Sequence, residues 1–465
     1  MSAPPLVLHL HAHLPECRPA RPGGVDFEDW FFEALQGSYL PLLQVFEGWV
    51  EDGIEARGSL SLSAPLLSML QDEDLMDRAR HRWSRCAELA RSLSLPFEVK
   101  ARLAQGFERS IAHSRDPLGR LRRLEGRVLD VVGTGASHGL LPFVRQLDPR
   151  WSEAQVGIGL SRLRRAGFSP LGFWLPECGV DPETAALMAR HRVPFSFVEG
   201  GSGPAGIPFQ APEGTVFFPR SLSVAEEIWD PEHGIPGQGA YREFHRDAAR
   251  ELEPELLARF ELPADGRPLN LKVWSINGQF HSVDKAEETL DQDVERFWRR
   301  RSEEGVPAVG SFDAELFGHW WSEGPHFLDR LARHPEAGAL CSAAEVVREQ
   351  PELPLRPPTP GTWGQHGFGR TWLGPDNAWI HDRIMGASQH FFALREAEEA
   401  RRRLPHLLGL MASDWPFLIR GQSYLDAIPL RIQDHLDAVH SPSTPLHAGL
   451  DVERDELQWL GWGPS

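Results

Sequence analysis

The chain has 465 residues, a formal net charge of −18, and ordinary proportions of hydrophobic (41%) and charged (25%) residues. This length allows two or three domains, or one large barrel with additional elements. The negative charge argues against nucleic acid and anionic membrane surfaces as partners, because both would repel the protein. No 18-residue apolar stretch is present, so no membrane span is expected.

The cysteines indicate a reducing compartment. None of the four is paired in a CxxC spacing, which argues against a zinc knuckle or a redox motif. The N-terminus shows no signal-peptide pattern and leads directly into a strand-like run. We therefore expect a reduced, cytoplasmic protein. The four cysteines are Cys17, Cys86, Cys178 and Cys341.

Seven short apolar runs predict β-strands, and segments with helical periodicity separate most of them. This alternation indicates a parallel sheet, either open or closed into a barrel. An amphipathic helix is predicted after the first strand, because apolar residues recur at three- and four-residue spacing between Phe27 and Phe46. The predicted strands are 6–11, 57–63, 128–135, 171–176, 194–199, 269–276 and 308–312.

Several longer stretches break this pattern. Residues 65–125 are charged and helical in period, which predicts a helical insertion. Residues 200–265 begin with many Gly and Pro residues, and we interpret their first part as a long loop over the site. The proline-rich run 351–360 predicts a stiff connector. Two helices are predicted after it, at 377–403 and 424–440.

Two predicted strands end abruptly in a carboxylate. Glu177 ends the apolar run that contains Trp174, and Asp313 follows the run that begins at Ala308. In βα folds this edge of the sheet carries the chemistry. Two carboxylates from distant parts of the chain suit acid/base and nucleophilic work on a glycosidic bond. Surrounding aromatic residues would raise the pKa of a general acid, while its partner must stay ionised to act as nucleophile.

Histidines cluster near the same edge. His9, His11 and His13 alternate along the first strand and therefore point the same way, and His138 follows the third strand. An HxH at the end of the first strand also begins many metal-dependent hydrolases, since His is the commonest metal ligand. The fourth strand ends in Glu177, however, and the fifth and sixth do not end in His. These residues alone therefore allow two roles for the histidines, hydrogen bonding to sugar hydroxyls and metal binding.

Six motifs in order resemble glycoside hydrolase family 57, and within it the 1,4-α-glucan branching enzymes. The resemblance runs from residue 6 to about 440, nearly the whole chain. The motifs are 11–15 (HAHLP), 137–139 (SHG), 174–178 (WLPEC), 313–321 (DAELFGHWW), 362–364 (TWG) and 413–417 (SDWPF).

The resemblance implies an α/β fold: an incomplete (β/α)7 barrel with a helical insertion and a C-terminal helical domain. On this basis we expect the barrel at 1–64 and 126–350, the insertion at 65–125, and a C-terminal domain at 351–465 that contributes to the substrate cleft. The implied partner is an α-glucan such as amylose, glycogen or a maltooligosaccharide, and the resemblance implies no metal and no cofactor.

The resemblance also implies roles for individual residues. It makes Glu177 the nucleophile and Asp313 the general acid/base of a retaining mechanism. Contacts with the substrate are implied for His11, His13, His138, Trp174, Arg267, Gly278, Trp363, Asp414, Trp415 and Gln422.

One loop departs from the family pattern. Branching members carry Gly-Tyr-Pro-Gly where this chain has 234–237 (GIPG), with Ile235 in place of a tyrosine that covers the active site and favours transfer. We therefore expect weak branching, with a larger share of hydrolysis or transfer to a 4-hydroxyl. A 4-α-glucanotransferase or an α-amylase-type hydrolase is the alternative within the family. Outside it, the alternatives are a metal-dependent hydrolase and a non-catalytic glucan-binding protein.

Overall fold

A central sheet of nine strands organises the molecule, whose computed structural model describes residues 3–202, 206–230, 232–349, 352–367, 369–441 and 452–462. The strands are short because most of them are buried parallel strands of a small barrel. They are β1 (Leu6–Ala12), β2 (Gly58–Leu62), β3 (Leu129–Thr134), β4 (Phe173–Trp174), β5 (Phe195–Val198), β6 (Phe209–Gln210), β7 (Val216–Pro219), β8 (Ala308–Asp313) and β9 (Leu340–Cys341).

Seven parallel strands follow the order β7-β5-β4-β3-β2-β1-β8, with β6 antiparallel at one edge and β9 beside β1. At the two ends of this order, β7 and β8 are not paired as strands. The residue that follows β7 is instead hydrogen-bonded to β8. Ser221, just after β7, donates its backbone N–H to the Val309 carbonyl (2.9 Å), and Val309 donates its N–H to Ser221 Oγ (2.9 Å). An incomplete barrel of seven parallel strands, as expected from the sequence, is confirmed.

Helices cover the outside of the sheet and form the C-terminal region. A π-helical segment, Leu35–Tyr39, joins the first two into one continuous helix after β1. The helices are α1 (Glu28–Ala34), α2 (Leu40–Glu51), α3 (Ala64–Gln71), α4 (Glu73–Ser92), α5 (Phe97–His113), α6 (Pro117–Leu124), α7 (Leu141–Leu147), α8 (Pro149–Arg165), α9 (Pro182–Arg190), α10 (Leu222–Trp229), α11 (Pro254–Arg259), α12 (Val283–Glu304), α13 (Gly324–Arg333), α14 (Ala343–Glu349), α15 (Ala378–Phe392), α16 (Ala397–Leu410), α17 (Asp414–Arg420) and α18 (Ala427–His440).

Six of the seven predicted strands coincide with observed ones, and the strand predicted at 269–276 is wrong. Leu269, Leu271 and Val273 are buried at alternate positions, which produced the strand-like pattern. The segment is extended but outside the sheet, and it forms only isolated bridges such as Arg242↔Ser275. Strand β7, which lies in the stretch interpreted as a loop, takes the seventh place instead.

The regions outside the barrel differ from prediction in smaller ways. Helices α3 to α6 occupy the stretch 65–125. The single helix predicted at 377–403 is wrong, because the chain turns between α15 and α16. The predicted connector begins at residue 351, which lies outside the described residues, and 352–360 contains neither helix nor strand. Among the described helices, none has the length and apolarity needed to cross a membrane.

The π-helical segment ties the first helix to the chain that follows β8. Ser38 donates its hydroxyl to the Ala314 carbonyl (2.7 Å), and the Tyr39 hydroxyl donates to the Glu315 carboxylate. Gly318 adopts a left-handed backbone (φ 118°), and a Cβ there would lie 1.9 Å from the Gly37 carbonyl oxygen. Glycine at this position therefore allows the close backbone contact that fixes the segment carrying Asp313.

Candidate active site

A cleft of about 490 Å³ opens where the parallel strands end. The C-terminal edge of such a sheet is where the ends of several strands can present side chains to one ligand. Histidines and carboxylates form the base of the cleft. Six aromatic side chains line its walls, and they are Trp30, Trp229, Phe312, Trp320, Trp363 and Phe417.

Glu177 is held by two hydrogen bonds just beyond β4. Its backbone is left-handed (φ 59°, ψ 23°), a conformation that is uncommon for residues other than glycine. The indole N–H of Trp363 donates to Glu177 Oε2 (2.6 Å), and the Ser413 hydroxyl donates to Oε1 (2.7 Å). The Trp363 backbone N–H also donates to the Glu177 carbonyl (3.0 Å). The carboxylate therefore has a fixed orientation in the cleft.

Asp313 ends β8, where its Cα is paired in register with that of His11 on β1. Among the described residues, none donates a hydrogen bond to its carboxyl group. Burial raises the pKa of Asp313 to about 7, and the negative charge of Glu177 contributes to this rise. An acid with no donor to stabilise its charged form retains its proton more readily.

The protein therefore favours a different protonation state for each of the two carboxyl groups. Burial also raises the pKa of Glu177 to about 7, but the hydrogen bonds from Ser413 and Trp363 oppose the rise. Such bonds stabilise the ionised form, and nothing equivalent stabilises ionised Asp313. When the pair shares one proton, that proton is held by Asp313 and the charge by Glu177. The arrangement favours one ionised and one protonated carboxyl group at neutral pH.

Deeper than the carboxyl groups, His11 and His138 are hydrogen-bonded to each other, and each also bonds to a serine. Their Nε2 atoms lie 2.9 Å apart, and each Nδ1 contacts a serine hydroxyl, Ser61 Oγ (2.7 Å) for His11 and Ser413 Oγ (2.9 Å) for His138. Burial lowers the pKa of both imidazoles well below its usual value. The pair is therefore neutral at pH 7 and positions Ser413 beneath Glu177.

His13, His138 and Asp414 are the group in the described chain with the spacing of a metal site. One potential ligand atom from each lies within 4.8 Å of the others. His13 Nε2, however, lies 3.1 Å from Asp414 Oδ2, and both ring nitrogens of His138 already have partners. A metal ion would have to replace these hydrogen bonds. The donor set suits hydrogen bonding better than it suits metal binding.

Glu315 lies behind Asp313 and is almost completely buried. Burial, followed by the charge of Asp313, raises the pKa of Glu315 well above its usual value. Its carboxyl group accepts hydrogen bonds from the Tyr39 hydroxyl and from the His13 N–H (3.3 Å). Glu315 belongs to the motif 313–321, and the resemblance gives it no role. In the structure it connects the end of β8 to that of β1.

Sequence reasoning missed Ser413, which supports Glu177, and among the residues that line the cleft it missed Arg220 and Trp229. Ser413 contacts both Glu177 and His138, and the sequence showed it only as the first residue of a motif. Arg220 follows β7, and its guanidinium carbon lies 5.0 Å from the centre of the Trp363 ring. Trp229, which ends α10, is 40% exposed in the cleft wall. The apolar run of β7 followed at once by Arg220 was the signal that could have identified this strand end.

Two tryptophans expected to contact the substrate are buried instead. Trp174 has no exposed surface, and its ring lies under His11 (4.8 Å between centroids) and against Trp363 (5.1 Å). Trp415 is 1% exposed and donates its indole N–H to the Gly409 carbonyl (2.7 Å). In this structure, packing within the protein covers the faces of both rings.

The remaining predicted site residues lie away from the cleft lining. Arg267 forms ion pairs with Asp265 and Asp29. Gly278 and Gln422 lie in exposed turns with left-handed backbones (φ 82° and 56°). The structure brings together with Glu177 and Asp313 the predicted residues His11, His13, His138, Trp363 and Asp414.

Ile235 does not occupy the covering position that the sequence suggested. It is 1% exposed, in a short 3-10 helix, Ile235–Gly237, that follows α10. The aromatic residue from this region that does line the cleft is Trp229, whose ring lies edge-on to Trp320 at 5.5 Å.

Two named enzymes resemble this chain in sequence over most of its length. A probable 1,4-alpha-glucan branching enzyme of Mycobacterium tuberculosis (strain CDC 1551 / Oshkosh) is 27% identical, across 98% of this chain and 94% of that protein. A 1,4-alpha-glucan branching enzyme of Thermococcus kodakarensis is 26% identical, across 89% of this chain and 69% of that protein.

Solved structures share the fold. The alpha-amylase AmyC from Thermotoga maritima superposes with a TM-score of 0.82 at 24% identity, covering 99% of this chain and 96% of that one. A GH57-type branching enzyme from Pyrococcus horikoshii gives 0.81 at 23% identity, covering 99% and 94%. The model of glycosyl hydrolase family 57 matches residues 7–352, well over half of the sequence. The chain therefore belongs to glycosyl hydrolase family 57.

Proposed function

We propose that this protein is a retaining enzyme active on α-1,4-glucan, and specifically a 1,4-α-glucan branching enzyme. The observation that carries the proposal is the unequal setting of the two carboxyl groups, with Glu177 bonded to Trp363 and Ser413 and Asp313 without a donor among the described residues. Two carboxyl groups with different preferred forms are what glycosidic bond cleavage with retention requires. The names of the sequence relatives support the substrate and the branching reaction.

In the first step, the ionised Glu177 attacks the anomeric carbon of an α-1,4-linked glucose. The bond from that carbon to the glycosidic oxygen breaks, and Asp313 donates its proton to the departing 4-oxygen. The products are a glycosyl-enzyme ester on Glu177, a free 4-hydroxyl on the released chain, and an ionised Asp313.

In the second step, Asp313 acts as a general base. It accepts the proton of an acceptor 6-hydroxyl, whose oxygen attacks the anomeric carbon and releases the Glu177 carboxylate. This step forms the α-1,6 linkage and returns both carboxyl groups to their starting forms. Water as acceptor would give hydrolysis, and a 4-hydroxyl would give disproportionation.

The residues around the pair bind and orient the sugars. His13 and Asp414 line the cleft as a hydrogen-bonded pair (3.1 Å), and the remaining lone pairs of the Asp414 carboxylate can accept hydrogen bonds from sugar hydroxyls. Trp363 and Trp320 present aromatic surface, which suits the apolar faces of a pyranose ring. His11 and His138 lie deeper and support this layer.

One observation favours an alternative within the family. The loop at 234–237 has no tyrosine, and Ile235 is buried. A cleft without that covering residue excludes water less well, which favours an α-amylase-type hydrolase or a 4-α-glucanotransferase. This alternative keeps both carboxylate roles and changes only the acceptor.

Product analysis on amylose separates these reactions. New α-1,6 linkages are counted from the chains released by a debranching enzyme, and new reducing ends are counted in a parallel sample. We expect α-1,6 linkages to appear in excess over a Glu177→Gln control. Reducing ends alone would indicate a hydrolase, and redistributed chain lengths without α-1,6 linkages would indicate a 4-α-glucanotransferase. No change in the amylose would overturn the proposal.

A cytoplasmic location is proposed with this function. All four cysteines are free, and three of them are buried, so disulfide bonding gives no support for an oxidising compartment. Fractionation of the source cells with a tagged chain tests the location, and recovery of the protein outside the cytoplasmic fraction would contradict it.

A further inference from the structure

A second cavity, of about 410 Å³, lies apart from the cleft. Helices α2, α5 and α12 and the chain after β8 form its walls, and no described residue lines both it and the cleft. A volume of this size is within the range of small-molecule sites.

The acidic residues of this cavity are already neutralised. Glu323 is buried and forms an ion pair with Arg242 (2.7 Å), and His281 Nε2 lies 3.1 Å from the same carboxylate. Glu287 forms an ion pair with Arg330. Neither carboxylate is therefore available to form an ion pair with a further cationic side chain that lines the cavity.

Two arginines on α5 supply positive charge without a partner. Arg102 and Arg109 both line the cavity, and neither forms an ion pair with any residue in the described part of the chain. Arg102 Nη2 is buried with no hydrogen-bond partner, while its Nη1 donates to the His281 carbonyl (3.4 Å). Two guanidinium groups without a neighbouring carboxylate partner, in the part of the chain that the structure describes, therefore line the same cavity.

A buried histidine adds an unsatisfied polar atom. His281 is 5% exposed, lines the cavity, and its Nδ1 has no hydrogen-bond partner among the described residues. Buried polar atoms normally have partners, so each unpaired one requires an explanation. Gln44 and Gln105 present side-chain amides to the same space, and Leu40 supplies apolar surface.

We propose that this cavity binds a phosphorylated sugar. Arg102 and Arg109 would hold the phosphate group, because guanidinium groups match the geometry of phosphate oxygens. The cavity is much larger than a phosphate ion, and the amide-bearing residues Gln44 and Gln105 that line it suit hydrogen bonding to hydroxyl groups. The proposal does not depend on the reaction performed in the cleft.

Isothermal titration calorimetry of the full chain with glucose 6-phosphate tests this proposal. We expect saturable binding that is weakened about tenfold or more in Arg102→Gln and in Arg109→Gln, since each removes a charged contact to phosphate. The matched control is Arg115→Gln, an exposed arginine just after α5 that lies outside the cavity, and its affinity should equal that of the wild type.

Further arms of the titration identify what is recognised and where. Saturating maltoheptaose should leave the affinity unchanged, and competition would place the ligand in the cleft and overturn the proposal. Inorganic phosphate or glucose binding as tightly as the ester would overturn recognition of a sugar phosphate. Absence of binding to wild type would overturn the whole proposal. Arg109 is exposed, so Arg109→Gln keeps the test decisive even if Arg102→Gln fails to fold.

Discussion

At the scale of single residues, the difference between Glu177 and Asp313 depends on hydrogen bonds that can be removed one at a time. Ser413 Oγ donates to Glu177 Oε1 at 2.7 Å, and the same hydroxyl lies 2.9 Å from His138 Nδ1. This serine therefore links the neutral histidine pair to the ionised carboxylate. Removing its hydroxyl should therefore change the pH at which Glu177 ionises.

Ser413→Ala should move the acidic limb of the pH profile of kcat/KM upward by about one pH unit. A hydrogen bond to a charged group contributes about 1.5–3 kcal/mol, and about 1.4 kcal/mol corresponds to one pKa unit. Without the donor, Glu177 needs a higher pH to ionise. Ser413→Thr retains the hydroxyl and serves as control. An acidic limb at the wild-type position in Ser413→Ala would show that this bond does not stabilise the carboxylate.

Glu177→Gln should stabilise the fold at pH 8 but not at pH 4. The folded state raises the pKa of Glu177 from 4.5 to about 7, so the ionised group opposes folding by up to about 3 kcal/mol above pH 7. Below pH 4.5 the carboxyl is protonated in both folded and unfolded chains, and the penalty disappears. Glutamine has no charge; its oxygen can accept the Trp363 indole N–H, and its NH2 group can donate to Ser413 Oγ. Thermal unfolding of wild type and variant at both pH values measures the difference.

An equal change in stability at both pH values would contradict this account, because it would show that charge burial is not the cause. Glu199→Gln is a suitable control, since Glu199 also follows a barrel strand but forms an ion pair with Arg220 (3.1 Å). That substitution removes a compensated charge and should not stabilise the protein at pH 8.

At the scale of elements, α10 places the Trp229 ring in the cleft wall. In the described chain, the turn that follows α10 does not reach the cleft. Trp229→Ala should raise the ratio of new reducing ends to new α-1,6 linkages on amylose by about twofold or more. The reason is that the ring excludes water and offers a surface to the acceptor sugar. Trp229→Phe retains an aromatic face and should remain near the wild-type ratio. An unchanged ratio in Trp229→Ala would show that this wall does not influence the choice of acceptor.

Ile235→Tyr should destabilise the protein without improving transfer. The side chain is buried, and a larger aromatic group in a packed position typically costs about 1–3 kcal/mol. A tyrosine here would shift the products toward transfer only if its side chain reached the active site. Chemical denaturation measures the stability, and the product ratio on amylose measures the partitioning. A stable variant with increased branching would show that the loop adopts a second, closing conformation.

Strand ends were predictable where an apolar run stops at a charged residue. Glu177 and Asp313 were found in this way, although β4 itself has only two residues. The same rule would have found Arg220 after β7, but nearby Gly and Pro residues made that stretch resemble a loop. The false strand at 269–276 has the correct alternation of buried residues, since an extended chain packed on a core produces it without joining a sheet.

The functions of the tryptophans were not predictable from local sequence. Trp174 and Trp363 both belong to motifs, yet Trp174 is fully buried and Trp363 lines the cleft. The difference arises from which neighbours cover each ring, and those neighbours come from distant strands. Ser413 illustrates the same point, because its two partners are supplied by the chain after β3 and β4.

At the scale of the whole molecule, the C-terminal helices complete a site that the barrel begins. Ser413 and Asp414, at the start of α17, contact Glu177 and His13 respectively. The Ser413 N–H also donates to the His138 carbonyl (3.1 Å). The orientation of the Glu177 carboxylate therefore depends on packing between the barrel and these helices.

The central claim is that Glu177 forms a covalent bond to the sugar while Asp313 supplies the proton. An α-maltosyl fluoride has a leaving group that needs little acid assistance, so Asp313→Ala should react with it and accumulate the glycosyl-enzyme. Intact-protein mass spectrometry followed by peptide mapping should locate one maltosyl group on Glu177, and Glu177→Ala should remain unmodified. An adduct on another residue, or equal labelling of the two variants, would contradict the account.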